Sequence, residues 1–288
     1  MKTFVNTTLL FSISFLLSPL TSCKHNPSLS PHTGSVQTCI APAFEEDYFD
    51  FPPPTNPTQT NTVWDVSNVD VSRINKTKNL IAFTFDDTPA RELESILSVF
   101  TAYNEANPDC IATATLFCNG RLIDETNFPT LTLALTLGWE LGNHSYSHPD
   151  FTTLTEAQLT EEIAKTEKKL SSLDGKTQHL FRPPFGRINK EQKTSLNVPI
   201  IDWTIDTLDW TGTSAENIYE TVFSQKESGA IVLMHDGYQG TVEALKRLLP
   251  DLKNAGYQVV SVSQMAKAHD CTLKNGSTYI RARKKGTV

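Results

Sequence analysis

From Asn79 onward, short apolar runs alternate with segments of helical amphipathic period. The runs cover residues 80–85, 112–118, 139–142, 179–182, 199–205, 230–234 and 257–262, most of them bounded by polar residues or turn formers. Between them, 154–173 is the clearest helix, because Leu159, Ile163, Leu170 and Leu173 recur at near-helical spacing among Glu and Lys. About seven βα units of this kind predict an α/β fold, a barrel-like or open sheet whose active site lies at the carboxyl ends of the strands. Residues 24–78 carry no sustained period. Pro52, Pro53, Pro54 and Pro57 with Ser/Thr/Asn-rich flanks cannot bury enough surface to offset the entropy of ordering them, so this part reads as a tether. Within it, 43–51 sets aromatic residues among acidic ones, a stretch suited to docking on the domain or on a partner.

Composition narrows the picture. At 288 residues, 39% of them hydrophobic, the chain can bury one sizeable core. A formal net charge of −7 without a basic stripe interleaved with aromatics argues against nucleic acid as a partner. The basic cluster 281–285 reads as a solvated tail. At the other end, Met1-Lys2 supplies a positive start and 9–17 an apolar stretch too short to span a bilayer. Leu20-Thr21-Ser22-Cys23 then resembles a bacterial lipobox, which implies that Cys23 carries a lipid anchor and that the protein leaves the cytoplasm. Cys39, Cys110, Cys118 and Cys271 remain, an even number in a compartment that permits disulfides. Cys110 and Cys118 are near enough in sequence to bridge, but a strand over 112–118 would hold them apart; buried free thiols are the other reading.

Chemistry-bearing residues recur where the apolar runs end. The first run closes in NLIAFTFDDTP, which places Asp86 and Asp87 where a buried strand meets a loop. Alone, such aspartates are often helix N-caps. After 139–142 comes Asn143-His144-Ser145-Tyr146-Ser147-His148-Pro149. Two histidines four apart on a turn of helix would face the same way and offer two imidazole nitrogens to one divalent ion, with Asp86 or Asp87 as a third ligand and open positions for water and substrate. Phe181-Arg182-Pro183-Pro184-Phe185-Gly186 sets an arginine beside a rigid diproline turn, suited to pairing with a carboxylate, and the N–H groups after the prolines could face an oxyanion. Asp206-Thr207-Leu208-Asp209-Trp210 and Leu233-Met234-His235-Asp236 bring further acidic, aromatic and imidazole groups to the same end.

In this order, TFDD (84–87), HSYSH (144–148), RPPFG (182–186), DTLDW (206–210) and LMHD (233–236) resemble the five motifs of the polysaccharide deacetylase family with the NodB-type domain, the fourth class of carbohydrate esterases. The resemblance spans roughly residues 80–266 and implies a distorted (β/α)7-type barrel. It implies that Asp87, His144 and His148 hold a divalent metal, usually zinc. It makes Asp86 the general base, oriented by Arg182, and His235 the general acid, tuned by Asp209. Trp210 and Leu233 match positions that wall the pocket for the acetyl methyl group, and the N–H of Phe185 matches the oxyanion donor. Two positions depart from the family's pattern: Thr88 stands where glycine is usual, and Phe185 where tyrosine is frequent.

The function implied is that of a hydrolase acting on carbon–nitrogen bonds other than peptide bonds. Its substrate would be the N-acetyl groups of amino sugars in peptidoglycan or a chitin-like glycan. The same catalytic set serves O-deacetylation of xylan. A glycan-binding lipoprotein without turnover would have lost the base or the acid, and both stand in this sequence. The expected organisation is a signal segment over 1–22, a lipid-anchored Pro/Ser/Thr-rich tether over 23–78, a catalytic domain over 79–268 and a tail over 269–288, with the whole exported to the cell envelope.

Overall fold

The computed structural model describes residues 63–283. Its strands are β1 (Asn79–Thr88), β2 (Thr115–Cys118), β3 (Glu140–Asn143), β4 (Leu180–Phe181), β5 (Ile200–Ile201), β6 (Ile205–Asp206), β7 (Ile231–His235), β8 (Tyr257–Val260) and β9 (Thr278–Tyr279). Its helices are α1 (Leu93–Ala106), α2 (Phe128–Thr136), α3 (Glu156–Asp174), α4 (Lys190–Ser195), α5 (Ala215–Gln225), α6 (Gln239–Asn254) and α7 (Val262–Ala268). β1 is buried almost throughout because both of its faces are covered, as in the interior of a parallel sheet, and its central run 80–85 is apolar but for Thr84. Alternate side chains serve different layers: Ile81, Phe83 and Phe85 pack with Ile96, Phe100, Trp139 and Leu248, whereas Leu80 and Ala82 pack with Val260, Met265 and Leu273. One flank of β1 pairs with β7; the other pairs with β8 along its first half and with β2 along its second. The path runs β6-β7-β1-β2-β3-β4-β5-β9, with parallel ladders throughout. The helix expected over 154–173 is α3, its ends set by a Thr155/Gln158 capping box and by Gly175 in the left-handed region at φ 74°.

The run 199–205, expected as one strand, is two. Ile200 and Ile201 pair beside β4, while Ile205 and Asp206 pair beside β7, so residues 202–204 carry the chain between the two ends of the sheet path. The Asp202 N–H donates to the Tyr279 carbonyl and the Thr204 N–H to the Ile231 carbonyl. The sheet therefore curls into a parallel half-barrel, the expected (β/α)7-type architecture.

The seam of that curl is filled by residues expected to be a C-terminal tail, of which 281–285 were expected to be solvated. β9 pairs with β5, the Thr204 hydroxyl donates to the Ile280 carbonyl, and the Ala282 N–H donates to the Gly229 carbonyl at 2.9 Å. Leu273 and Ala282 are buried, and Arg281 and Arg283 both pair with Glu227. The expected tether boundary at 78 also moves. Trp64 and Ile74 pack on the core, the Trp64 N–H donates to the Leu273 carbonyl, and the Asn75 N–H donates to Gln258 Oε1 at 2.7 Å. Lys267 Nζ donates to the Ser67 and Val69 carbonyls. This stretch lacks a period because short turns capped by Asp65, Asp70 and Asn75, together with partners far away in sequence, hold it in place. Cys110, Cys118 and Cys271 are free thiols. The signal segment, Cys23, Cys39 and the acidic aromatic stretch 43–51 lie outside the described residues. Among those described, no helix is long and apolar enough to cross a membrane.

Candidate functional site

Parallel strands all end at the same side of a sheet, so residues just past those ends converge whatever their separation in sequence. Asp86 and Asp87 close β1 and are not helix caps; α1 begins only after Glu92. Asp86 lies directly opposite His235 in the β1–β7 register. The 144–148 segment leaves β3, Arg182 follows β4, and Asp209 follows β6 in a 3-10 turn. The two histidines do not sit on a turn of helix as expected. They sit on a loop in which Ser145 and His148 both take left-handed φ values, 69° and 61°.

Asp87, His144 and His148 form the one cluster of metal-ligating side chains among the described residues, with a donor atom from each within 4.8 Å of the others. His148 Nε2 is 3.4 Å from Asp87 Oδ1, and His144 Nε2 is 3.8 Å from it. His144 Nδ1 lies 2.8 Å from the Arg182 carbonyl oxygen. A carbonyl only accepts, so Nδ1 carries the proton and Nε2 presents its lone pair to the cluster. Burial and the neighbouring His144 push His148 below the usual histidine range against the pull of Asp87 and Asp86, which favours its neutral, ligating form. Two imidazole nitrogens and one carboxylate oxygen are a donor set that suits zinc and similar divalent ions while leaving coordination positions open.

On one side of this cluster stands Asp86, buried and paired with Arg182. Arg182 Nη1 donates to Asp86 Oδ1 and to the Thr84 hydroxyl, each at 2.7 Å; Nε donates to the Ile201 carbonyl and Nη2 to the Asp202 carbonyl. Burial alone would raise the Asp86 pKa, but Arg182, His144 and His235 outweigh it and hold the carboxyl below its ordinary value. On the other side stands His235, whose Nδ1 is 2.8 Å from Asp209 Oδ1. Asp209 Oδ2 accepts the His235 N–H and the Thr241 hydroxyl, each at 2.7 Å. Burial would lower the His235 pKa; the hydrogen bond to Asp209 and the charges of Asp86, Asp209 and Asp87 outweigh it and raise it, favouring the imidazolium.

The remaining expected site residues differ in exposure. Phe185 is 59% exposed, with its ring edge-on to His148 at 4.6 Å, and Trp210 is 54% exposed, while Leu233 is buried on β7 two residues before His235. The Phe185 N–H makes no hydrogen bond within the described protein, so it is available to an incoming oxygen. Left-handed backbone at non-glycine residues concentrates here: Asp87, Ser145, His148, Phe185 and Leu208 account for all but one such position among the described residues, a pattern typical of functional sites. Thr88, which stands in place of glycine, turns its buried hydroxyl to Cys118 Sγ at 3.3 Å and puts nothing into the opening.

Several contributors were not singled out in the sequence. Thr84 receives Arg182, and Trp203 lies close over Gly186, where an added Cβ would come within 3.1 Å of the indole at a φ of 66°. The buried Asp236 carboxyl, pushed up to about 8 by burial, accepts the Ala90 N–H at 2.8 Å and so shapes the loop after Asp87. Thr84 and Asp236 lay within recognised motifs, whereas Trp203 carried no local signal.

Comparison with known proteins points the same way. The sequence profile described as polysaccharide deacetylase matches residues 73–198. A peptidoglycan-N-acetylglucosamine deacetylase of Bacillus cereus is 34% identical over 193 residues, covering 64% of this chain and 67% of that one. A peptidoglycan-N-acetylmuramic acid deacetylase of Bacillus subtilis is 31% identical over 194 residues, 67% of this chain and 40% of that one. Among solved structures, a family 4 acetyl xylan esterase from Clostridium thermocellum, in complex with a cobalt ion, superposes with a TM-score of 0.65 at 25% identity over 70% of this chain and 98% of that one. Sequence, curled parallel sheet and converging motifs agree: this chain belongs to the polysaccharide deacetylase family.

Proposed function

We propose that this protein is a metal-dependent hydrolase that removes N-acetyl groups from amino sugars of a cell-envelope glycan, releasing acetate. The observation that carries the proposal is the placement of a base and an acid on either side of one donor cluster: Asp86 paired with Arg182, and His235 hydrogen-bonded to Asp209, on neighbouring strands beside Asp87, His144 and His148. The names of the Bacillus cereus and Bacillus subtilis relatives support an N-acetyl group on a peptidoglycan sugar.

Asp87, His144 and His148 would hold the divalent ion, zinc by the character of the donors. When bound, such an ion supplies Lewis acidity to the acetyl carbonyl and lowers the pKa of an attacking water. Asp86, ionised and within the buried end of β1, takes the proton from that water. As the carbonyl carbon becomes tetrahedral, its oxygen turns toward the unengaged Phe185 N–H. His235 gives its proton to the leaving nitrogen, and the Asp209 carboxylate steadies the imidazolium until it does. Exposed Trp210 and Phe185 flank the sugar, and Leu233 forms part of the apolar surround of the acetyl methyl. Carriage to the envelope on a lipid attached at Cys23 completes the proposal.

The test is acetate release by the full chain from N-acetylglucosamine oligomers, peptidoglycan and acetylated xylan, before and after chelation. Release from an amino-sugar substrate, abolished by chelation and reduced about 10²–10⁴-fold in Asp86→Asn, is the expected outcome. Release from xylan alone would make the protein an O-acetyl esterase, and full activity in Asp86→Asn would remove the assigned base.

A further inference from the structure

His144 and His148 differ in how they are held. The first leaves the end of β3 and is pinned through Nδ1 to the Arg182 carbonyl. The second lies at the far end of an irregular loop, its N–H donating only to the Ser145 hydroxyl at 3.0 Å. Two left-handed non-glycine residues strain that loop, so an outside group must hold the shape. α3 supplies it. Glu162 Oε2 accepts the N–H groups of Tyr146 at 2.9 Å and Ser147 at 2.7 Å, and Oε1 accepts the Ser147 hydroxyl at 2.7 Å. One carboxylate thus clamps the residues midway between the two imidazoles. A second contact fixes the loop's start: Asn143 Nδ2 donates to Glu167 Oε2 at 2.8 Å and to the Ile163 carbonyl, while Asn143 Oδ1 accepts the Ser145 N–H. Glu167 is braced in turn by the buried His179, whose other nitrogen meets Asp174.

We infer that α3 is a splint for the metal-binding loop and that Glu162 is a positioning residue, setting the separation of His144 and His148 without touching ion or substrate. The inference rests on the metal-dependent reading proposed above. It also separates Glu162 from its neighbour Glu161, whose carboxylate faces outward to Lys165 across an exposed ion pair.

The test measures Zn2+ affinity of the purified full chain, by titration against a competing chelator, for wild type, Glu162→Gln, Glu162→Asp and Glu161→Gln. The visible absorption of the Co2+-loaded proteins reports ligand geometry. Glutamine keeps the length and loses the charge; aspartate keeps the charge and loses the reach. Both Glu162 variants are expected to bind Zn2+ about 10- to 100-fold more weakly, the range found when outer-shell partners of metal ligands are removed. Their Co2+ bands shift, while the unfolding temperature of the metal-free protein and the affinity of Glu161→Gln stay at wild-type values. Wild-type affinity in both Glu162 variants overturns the inference. So does wild-type affinity in Glu162→Asp alone, which would make charge rather than reach the cause, and so does a metal-free stability that falls in step with affinity. A wild type that binds no Zn2+ overturns the metal-dependent reading itself.

Discussion

Arg182 leads the fully buried side chains by volume, yet it is a cation. A guanidinium can be sealed from water only if its N–H groups find acceptors and its planar faces find apolar or aromatic cover. Here Thr84, Asp86 and the carbonyls of Ile201 and Asp202 supply the first, and the rings of Phe117 at 4.2 Å and Trp203 at 5.6 Å the second. Removing it leaves Asp86 buried without its partner. Arg182→Met, which keeps much of the volume, should therefore lower unfolding stability by about 3–5 kcal/mol, read from urea midpoints. Adding Asp86→Asn should return part of that loss, because the charge left stranded is gone; a double variant no more stable than the single one would deny the pairing its role. The motif in the sequence identified Arg182 and its carboxylate. It did not reveal the acceptors at Thr84, Ile201 and Asp202, which come from the middle of β1 and the end of β5.

At the scale of the element, α3 illustrates how a helix legible from its period acquires duties the period does not show. Its apolar stripe, with Leu159, Thr166 and Leu170 buried, faces the sheet as the spacing predicts. Its polar flank holds Glu162 and Glu167 against the 143–148 loop, and its last turn brings Asp174 to His179. Burial would lower the His179 pKa, but hydrogen bonds to Asp174 and Glu167 outweigh it and raise it from 6.5 to about 9; Asp174 falls from 3.8 to about 2, burial being outweighed by His179 and Lys176. A raised histidine stabilises fully below pH 6.5 and loses that contribution as pH climbs to about 9. A depressed aspartate stabilises above pH 3.8 and loses its contribution as pH falls toward about 2. Both are present between pH 3.8 and 6.5. The urea midpoint of wild type should thus decline between pH 6.5 and 9 relative to that of His179→Gln, and parallel curves would show the cluster to be neutral for stability.

For the whole molecule, the curl of the sheet depends on the two stretches flanking the motif-bearing region. β9 and Ala282 occupy the seam between β5 and the start of β7, and an added Cβ at Gly229, φ 89°, would come within 2.8 Å of the Ala282 carbonyl oxygen. Deleting residues 272–288 removes the buried Leu273, roughly 1.5–3 kcal/mol by its transfer energy, and ladder hydrogen bonds at about 1 kcal/mol each. A loss of about 3 kcal/mol or more, equivalent to roughly 6–12 °C in Tm, is expected from thermal unfolding. An unchanged Tm would return this segment to the status of a tail outside the fold. The barrel is closed from outside the five motifs that mark its site.

What the sequence determined by itself was the βα alternation, the position of each motif at a strand end, and the residue types, because two- and 3.6-residue periods and turn chemistry are local properties. From those followed the side of the sheet on which Asp86, Asp87, His144, His148, Arg182, Asp209 and His235 meet. Only the tertiary structure decided that 199–205 splits into two strands at opposite ends of the sheet path, that His144 and His148 sit on a strained loop and not on a helix, and that residues 63–78 and 269–283 belong to the fold. Each of these turns on partners distant along the chain: Tyr279 for Asp202, Glu162 for Ser147, Gln258 for Asn75, Glu227 for Arg281. A short or aperiodic segment has no local pattern to announce such a partner; its conformation is fixed by hydrogen bonds and burial that exist only once the sheet has curled.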